Sequence, residues 1–180
     1  MTAHATAPGH LVTDSPWTAD EALERLYAAH WARLVRLSVL LVRDVGTAEE
    51  VVQDAFIAAH KHWHKLRDPD KGLAYLRRAV VNQSRSALRH RMVVQRHVER
   101  RPEPEAPVEA IDEAFAQRAA VLEAMRALPQ RQREVLALRY YLDLSEAEIA
   151  DTLRISRGAV KSHASRGAAA LRELLKGEAR

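Results

Sequence analysis

The sequence predicts an all-α chain of two small helical domains joined by a proline-containing linker, the C-terminal one ending in a helix-turn-helix. Three observations carry that prediction. Apolar residues recur at helical spacing over long windows, and pairs that fit a capping box (Thr18 with Glu21, Thr47 with Glu50, Ser145 with Glu148) stand ahead of several of them. No stretch of useful length combines apolar alternation with turn signals, so no sheet is expected. Three prolines in His97–Ile111 (HVERRPEPEAPVEAI) bar a continuous helix there. With 180 residues, 47% of them apolar, two small cores are within reach.

Met1–Pro16 is rich in Ala, Thr, His and Pro without periodicity, and residues 1–17 are expected to form a mobile tail. Thr18 opens a helix whose apolar stripe runs Leu23, Leu26, Tyr27, His30, Trp31, Leu34, Leu37 and Leu41, ending near Asp44–Gly46. Thr47 opens the next. It packs through Val51, Val52, Ala55, Phe56, Ala59 and Trp63 and is stopped by RDPDKG, Arg67–Gly72. A third helix, roughly Leu73–Val94, turns Leu76, Ala79, Val80, Ala87 and Leu88 inward and completes a domain over 18–95. The linker occupies 96–112 and the second domain 113–177. In that domain Phe115, Ala119, Leu122 and Met125 mark a helix ending at Leu128, and Pro129 starts another carrying Val135, Leu136, Leu138, Tyr141 and Leu142.

The chain closes on LSEAEIADTLRISRGAVKSHASRGAAALRELL, Leu144–Leu175. Ser145 caps a short helix that packs through Ile149, Ala150 and Leu153 and turns Glu146, Glu148 and Asp151 to water. Arg154 and Ile155 connect it to a second cap, Ser156. The following helix packs through Val160, Ala164, Ala168, Leu171 and Leu175, and its first turns present Arg157, Lys161, Ser162, His163 and Arg166. Such residues on the second helix of this unit reach base edges and phosphates in the major groove.

The net charge is only +4, but it is unevenly placed. Ala19–Ala59 holds Asp20, Glu21, Glu24, Asp44, Glu49, Glu50 and Asp54, whereas Arg77–Arg101 is dense in arginine. One acidic, protein-facing surface and one basic, nucleic-acid-facing surface follow. Arg77, Arg78, Arg85 and Arg89 beside Asn82 and Tyr75 suit nucleic acid better than a merely solvated face. There is no cysteine, which excludes disulfides and thiol chemistry. His60, His62 and His64 lack a second ligand pair and read as solvated, while Glu49, Glu50 and Asp54 have no nucleophile or pocket beside them. No catalytic, cofactor or metal site is expected, and the protein is not expected to be an enzyme. The first residues lack the pattern of a secretory leader, and Leu34–Val42 is too short and too broken by Arg36 and Ser38 to span a bilayer. A soluble, cytoplasmic protein without membrane contact is expected.

Three segments together resemble bacterial extracytoplasmic-function sigma factors, and among them an actinobacterial SigE-like subgroup with a Y-L-R-x-A-V-V-N core. TAEEVVQDAFIAAHKHW (Thr47–Trp63) is similar to the family's D-A-E-D-x-x-Q-[DE]-x-F segment, GLAYLRRAVVNQSRSALRH (Gly72–His90) to its W-L-x-x-I-A-x-N-x-x-x-D-x-x-R helix, and Leu128–Leu174 to its upstream-element lobe. The resemblance implies that Glu50, Gln53, Asp54 and Phe56 bind RNA polymerase core at the β′ clamp. It implies that Tyr75, Arg78, Asn82, Arg85 and Arg89 read and melt the minus-ten element. Ser156, Arg157, Lys161, Ser162, His163 and Arg166 would read the minus-thirty-five element. The β flap, promoter DNA and an anti-sigma factor complete the implied partners. The chain departs from the family pattern at Tyr75, Ser86 and His163, which bears on promoter preference more than on activity. The second lobe alone fits a LuxR-like regulator equally well; the first lobe does not, since no strand-helix receiver is visible.

Overall fold

The computed structural model describes residues 18–42, 44–66, 68–97 and 113–178. The expected tail, the linker from 98 onward and the packing of Phe115 lie outside them. Within the described residues there are seven α-helices and one π-helical turn, and no strand.

Helix α1, Ala19–Val42, starts where the sequence places it. Thr18 Oγ1 accepts from Glu21 N at 3.2 Å, and Glu21 Oε2 accepts from Thr18 N at 3.0 Å. Helix α2, Val45–Leu66, begins two residues before Thr47, because Asp44 is the cap: its Oδ2 accepts from Thr47 N at 2.7 Å and from Thr47 Oγ1 at 2.6 Å. A carboxylate at this point also faces the positive end of the helix dipole. Helix α3, Pro69–His97, outruns the expected Leu73–Val94 at both ends. Asp68 Oδ1 accepts from Asp70 N at 2.9 Å, and Pro69 occupies the first helical position, where its fixed φ and missing N–H are harmless. The segment read as a stop is therefore also a start.

The three helices pack into the first lobe around Leu34, Leu37, Val52, Ala55, Leu76, Val80 and Val81. Gly72 lets α3 approach closely, since a Cβ there would lie 3.0 Å from both Leu26 Cδ1 and Trp63 Cζ3. Ser38 and Ser84, both buried, satisfy each other across α1 and α3 at 3.1 Å. Tyr27, expected on the packing stripe, is 47% exposed, and Trp31 is only half-buried. The two stack on each other at the rim, with ring centroids 4.6 Å apart.

The second lobe holds α4 (Glu113–Ala127), α5 (Gln130–Leu136), α6 (Glu146–Leu153) and α7 (Arg157–Glu178). Pro129 stands just ahead of α5 in extended conformation. On α4, Met125 is buried as expected, but Ala119 is exposed. The helix expected to run on through Tyr141 instead widens into a π-helical turn at Ala137–Tyr141, with Leu142 N donating to Ala137 O at 3.3 Å. Asp143 then takes a left-handed φ of 57° and ends the run. The capping box at Ser145 forms, with Ser145 N donating to Glu148 Oε2 at 2.9 Å and Glu148 N to Ser145 Oγ at 3.3 Å. Arg154, at φ 53°, turns the chain; Ile155 N donates back to Ala150 O at 3.0 Å, and Ser156 Oγ caps α7 by accepting from Ala159 N at 3.1 Å. Gly167 lets α7 cross α5, a Cβ there meeting Gln132 Cβ at 3.1 Å and Leu136 Cγ at 3.2 Å.

The lobes are docked. α1 touches α4, α5 and the π-helical turn, and α3 touches α6. Each lobe also sends an arginine to a helix end of the other. Arg33 on α1 donates to Tyr141 O at 3.4 Å and Leu142 O at 3.1 Å, while Arg133 on α5, itself buried, donates to Leu41 O at 3.1 Å. These carbonyls lie at C-terminal ends, where backbone acceptors lack helical partners and the dipole favours a cation.

Candidate nucleic-acid interface

The acidic surface forms on α2. Glu49, Glu50, Gln53 and Asp54 are all exposed, because Val51, Val52, Ala55 and Phe56 take the opposite side into the core. Phe56 belongs to that core: it is 9% exposed, with its ring edge-on to Tyr27 at 5.3 Å and tilted against Trp31 at 6.1 Å. It supports the acidic face from beneath instead of lying on it. Beside this face stand exposed Tyr27 and Ile57, which periodicity had marked as packing or passed over.

On α3 the predicted residues divide. Asn82 and Arg89 are exposed, Arg89 donating to Ser86 Oγ at 2.9 Å. Tyr75 is half-buried, its hydroxyl 3.5 Å from His62 Nδ1. Arg85 and Arg78 are half-buried, and each is paired with a carboxylate of the second lobe. Arg85 forks onto Glu134 of α5, Nε to Oε1 at 2.7 Å and Nη2 to Oε2 at 2.6 Å, and its Nη1 donates to Asn82 Oδ1 at 3.1 Å. Arg78 Nη2 lies 2.5 Å from Asp151 Oδ2, and Arg77 Nη1 3.9 Å from Glu148 Oε1, both on α6. Burial pulls the Arg77 guanidinium below its ordinary value, and burial together with Arg77 and Arg33 does the same to His30. Glu134, only 1% exposed, also accepts from Gln130 at 2.9 Å and Arg131 at 3.1 Å. Sequence reasoning missed Glu134, which ends the polar run Gln130–Arg133 and directly precedes the apolar Val135 and Leu136.

On α7 the first turns remain open. Arg157, Lys161 and Arg166 are exposed, Ser162 and His163 half-buried, and Arg166 Nη2 donates to Ser162 Oγ at 2.5 Å. Glu146, expected in water, is half-buried with Arg139 Nη1 at 3.6 Å and Lys161 Nζ at 3.8 Å. Lys161 is still 67% exposed along its side chain, so this distant pairing leaves it able to reach an anion. Exposed cations at the start of the second helix of such a unit can take guanine edges or phosphates.

His60 is engaged by Asp20 at 2.9 Å, and His62 Nδ1 lies 2.8 Å from Ala58 O. Among the described residues no group of three or more His, Asp or Glu could hold a metal ion, and no helix is long and apolar enough to cross a membrane.

Residues 26–92 match the family described as Sigma-70 region 2, and residues 118–171 the one described as Sigma-70, region 4. RNA polymerase sigma-E factor of Streptomyces coelicolor is 33% identical over 142 residues, covering 79% of each chain. That of Streptomyces antibioticus is 35% identical over 142 residues, covering 79% of this chain and 78% of its own. ECF RNA polymerase sigma factor SigL of Mycobacterium tuberculosis is 32% identical over 160 residues, covering 86% and 89%. Among solved structures, CnrH in complex with the cytosolic domain of CnrY is similar with a TM-score of 0.68 and 25% identity, covering 92% of this chain and 94% of that one. The sigma factor RpoE of Bartonella quintana, solved with the anti-sigma factor NepR, shares the fold with a TM-score of 0.66 at 21% identity, covering 85% and 96%.

Proposed function

Since the chain belongs to the RNA polymerase sigma factors, in their extracytoplasmic-function class, and so directs transcription initiation, we propose a division of labour among its faces. The acidic face of α2, through Glu50, Gln53 and Asp54 held up by Phe56, docks on the β′ clamp, and the second lobe docks on the β flap. Tyr75, Arg78, Asn82, Arg85 and Arg89 capture the minus-ten element as it opens. Ser156, Arg157, Lys161, Ser162, His163 and Arg166 read the minus-thirty-five element. Opening costs about 1.4 kcal/mol per base-pair step, and stacking a freed base on an aromatic ring returns ~1–3 kcal/mol. A few captured bases therefore hold open what polymerase and thermal motion supply.

No bond is made or broken, so the protein works as a binding factor, not an enzyme, and it does so in the cytoplasm with the polymerase. The anti-sigma factor in the RpoE complex supports a protein of that class as a further partner. One observation carries the reading: both sigma-70 regions occur in one chain, in order. It also separates this chain from a LuxR-like regulator, whose likeness reaches the second lobe alone. The test is run-off transcription with core polymerase, with and without Asp54→Arg. The variant should keep its helicity and lose core binding, since Asp54 is exposed and its carboxylate caps nothing. Undiminished binding would overturn the assignment of this face.

A further inference from the structure

Glu146 occupies the first position of α6, and the capping box between Ser145 and Glu148 fixes that turn around it. Successive residues of a helix stand about 100° apart. Glu146 therefore lies on the other side of α6 from Glu148, which faces Arg77 of the first lobe. Its own side chain, 25% exposed, turns toward the rest of the second lobe. There Oε1 lies 3.6 Å from Arg139 Nη1 on the π-helical turn, and Oε2 lies 3.8 Å from Lys161 Nζ on α7. With one oxygen drawn to Arg139, the other stays aimed at Lys161. Among the described residues, Lys161 is the cation on the first turns of α7 that an ion pair ties to α6. Both distances exceed those of a hydrogen bond, so the coupling is electrostatic and the three donors of the Lys161 ammonium remain available.

We propose that Glu146 is a specificity-determining residue, a carboxylate that positions Lys161 for base edges and penalises its contact with phosphate. The proposal rests on the assignment of α7 to the minus-thirty-five element made above. A phosphate drawn to Lys161 brings a full negative charge toward Glu146, whereas the O6 and N7 acceptors of guanine bring none. The carboxylate thus lowers affinity for any DNA, and lowers it least where the right base is presented. Discrimination of this kind comes from a repulsive element set against the wrong ligand. Lys161 is not withdrawn from DNA by it, since its side chain is 67% exposed and a pair so exposed is weak. An acid in the first turn also suits the dipole of α6, but that role needs no cation on either side of it.

The test binds core polymerase carrying the full chain to a promoter fragment and to the same fragment with its upstream element scrambled, across a salt series. Glu146→Gln should raise affinity for the scrambled fragment about threefold and for the intact one by less than about twofold, so that the ratio of the two falls. On the scrambled fragment the slope of log affinity against log salt should steepen by about 0.9, the mark of one added phosphate contact. Glu146→Asp, which keeps the charge, should stay near the unsubstituted chain on that fragment. In Lys161→Ala the ratio should already be low, and adding Glu146→Gln should lower it no further; damage to the start of α6 would instead act in both backgrounds. The proposal is overturned if Glu146→Gln leaves the ratio unchanged, or lowers it equally without Lys161. If Lys161→Ala itself leaves the ratio unchanged, the assignment of α7 falls and this proposal with it. A ratio that responds to Lys161 and not to Glu146 faults the proposal alone.

Discussion

Arg133 belongs to the second lobe, yet it closes the end of a helix in the first. Its buried guanidinium donates to Leu41 O and to Leu128 O, each at 3.1 Å, and α1 has no basic residue of its own in its last turn. Arg133→Met keeps an unbranched side chain in the same space and removes both donors. A hydrogen bond from a charged donor contributes ~1.5–3 kcal/mol. Of the two bonds, the one to Leu41 crosses between lobes, so the first lobe should lose about that amount. With urea dependence of ~1–3 kcal/mol per molar, its unfolding midpoint should fall by roughly 1 M. Trp31 and Trp63, the tryptophans among the described residues, both lie in the first lobe, so the change in their fluorescence follows that lobe, while far-UV circular dichroism follows both. The variant should move the tryptophan transition to lower urea. If circular dichroism shifts and the tryptophan midpoint stays, the lobes are not thermodynamically coupled and the reasoning fails.

Lys161→Ala should reduce transcription from a promoter that depends on its upstream element by the equivalent of ~1–3 kcal/mol if the contact is bidentate to a base, and less selectively if it is to phosphate; equal loss on a promoter lacking that element would exclude base reading. Tyr75→Ala should reduce open-complex formation, read by permanganate reactivity of unpaired thymines, more than initial duplex binding; equal losses would make α3 a duplex clamp. Three cap carboxylates are held below their usual values of 4.5, 3.8 and 4.5: Glu21 by the Thr18 amide and hydroxyl, Asp44 by the Thr47 hydroxyl and amide, and Glu148 by the Ser145 amide and hydroxyl. A depressed folded pKa contributes stability above the unfolded value and loses it as pH falls through the folded one, so helicity should decline as pH falls below the usual carboxylate values, and Ser145→Ala should flatten that decline.

What the sequence made legible is local. The caps at Thr18, Ser145 and Ser156 and the cores of both lobes follow from spacing within a few turns. Asp44 displaced Thr47 as cap because two candidates stood three apart, and the composition of each fits either role. Pro69 within α3 was hidden by reading a proline as a terminator when it can equally open a helix. The docking of the lobes was out of reach for a different reason: Arg85 and Glu134 are 49 positions apart, and Arg78 and Asp151 are 73. An arginine at a helical surface position has the same periodicity whether it faces water, DNA or a carboxylate. Phe56 shows the converse: spacing alone put it on the packing side of α2, where the structure has it, although the resemblance also gave it to the polymerase-binding set.

The turn of the helix-turn-helix holds Arg154 at φ 53°, ψ 52°, a left-handed conformation that glycine adopts without the clash of a Cβ. About 1 kcal/mol of backbone strain is stored there relative to glycine. In exchange the bend carries an exposed positive charge that glycine would lack, set between the two helices and within reach of the same field as Arg157. Arg154→Gly would relax the backbone and also lower the local potential, so thermal stability and attraction for a polyanion would move in opposite directions. In this turn, conformational ease and long-range electrostatic steering compete for a single position, and the sequence has settled on charge.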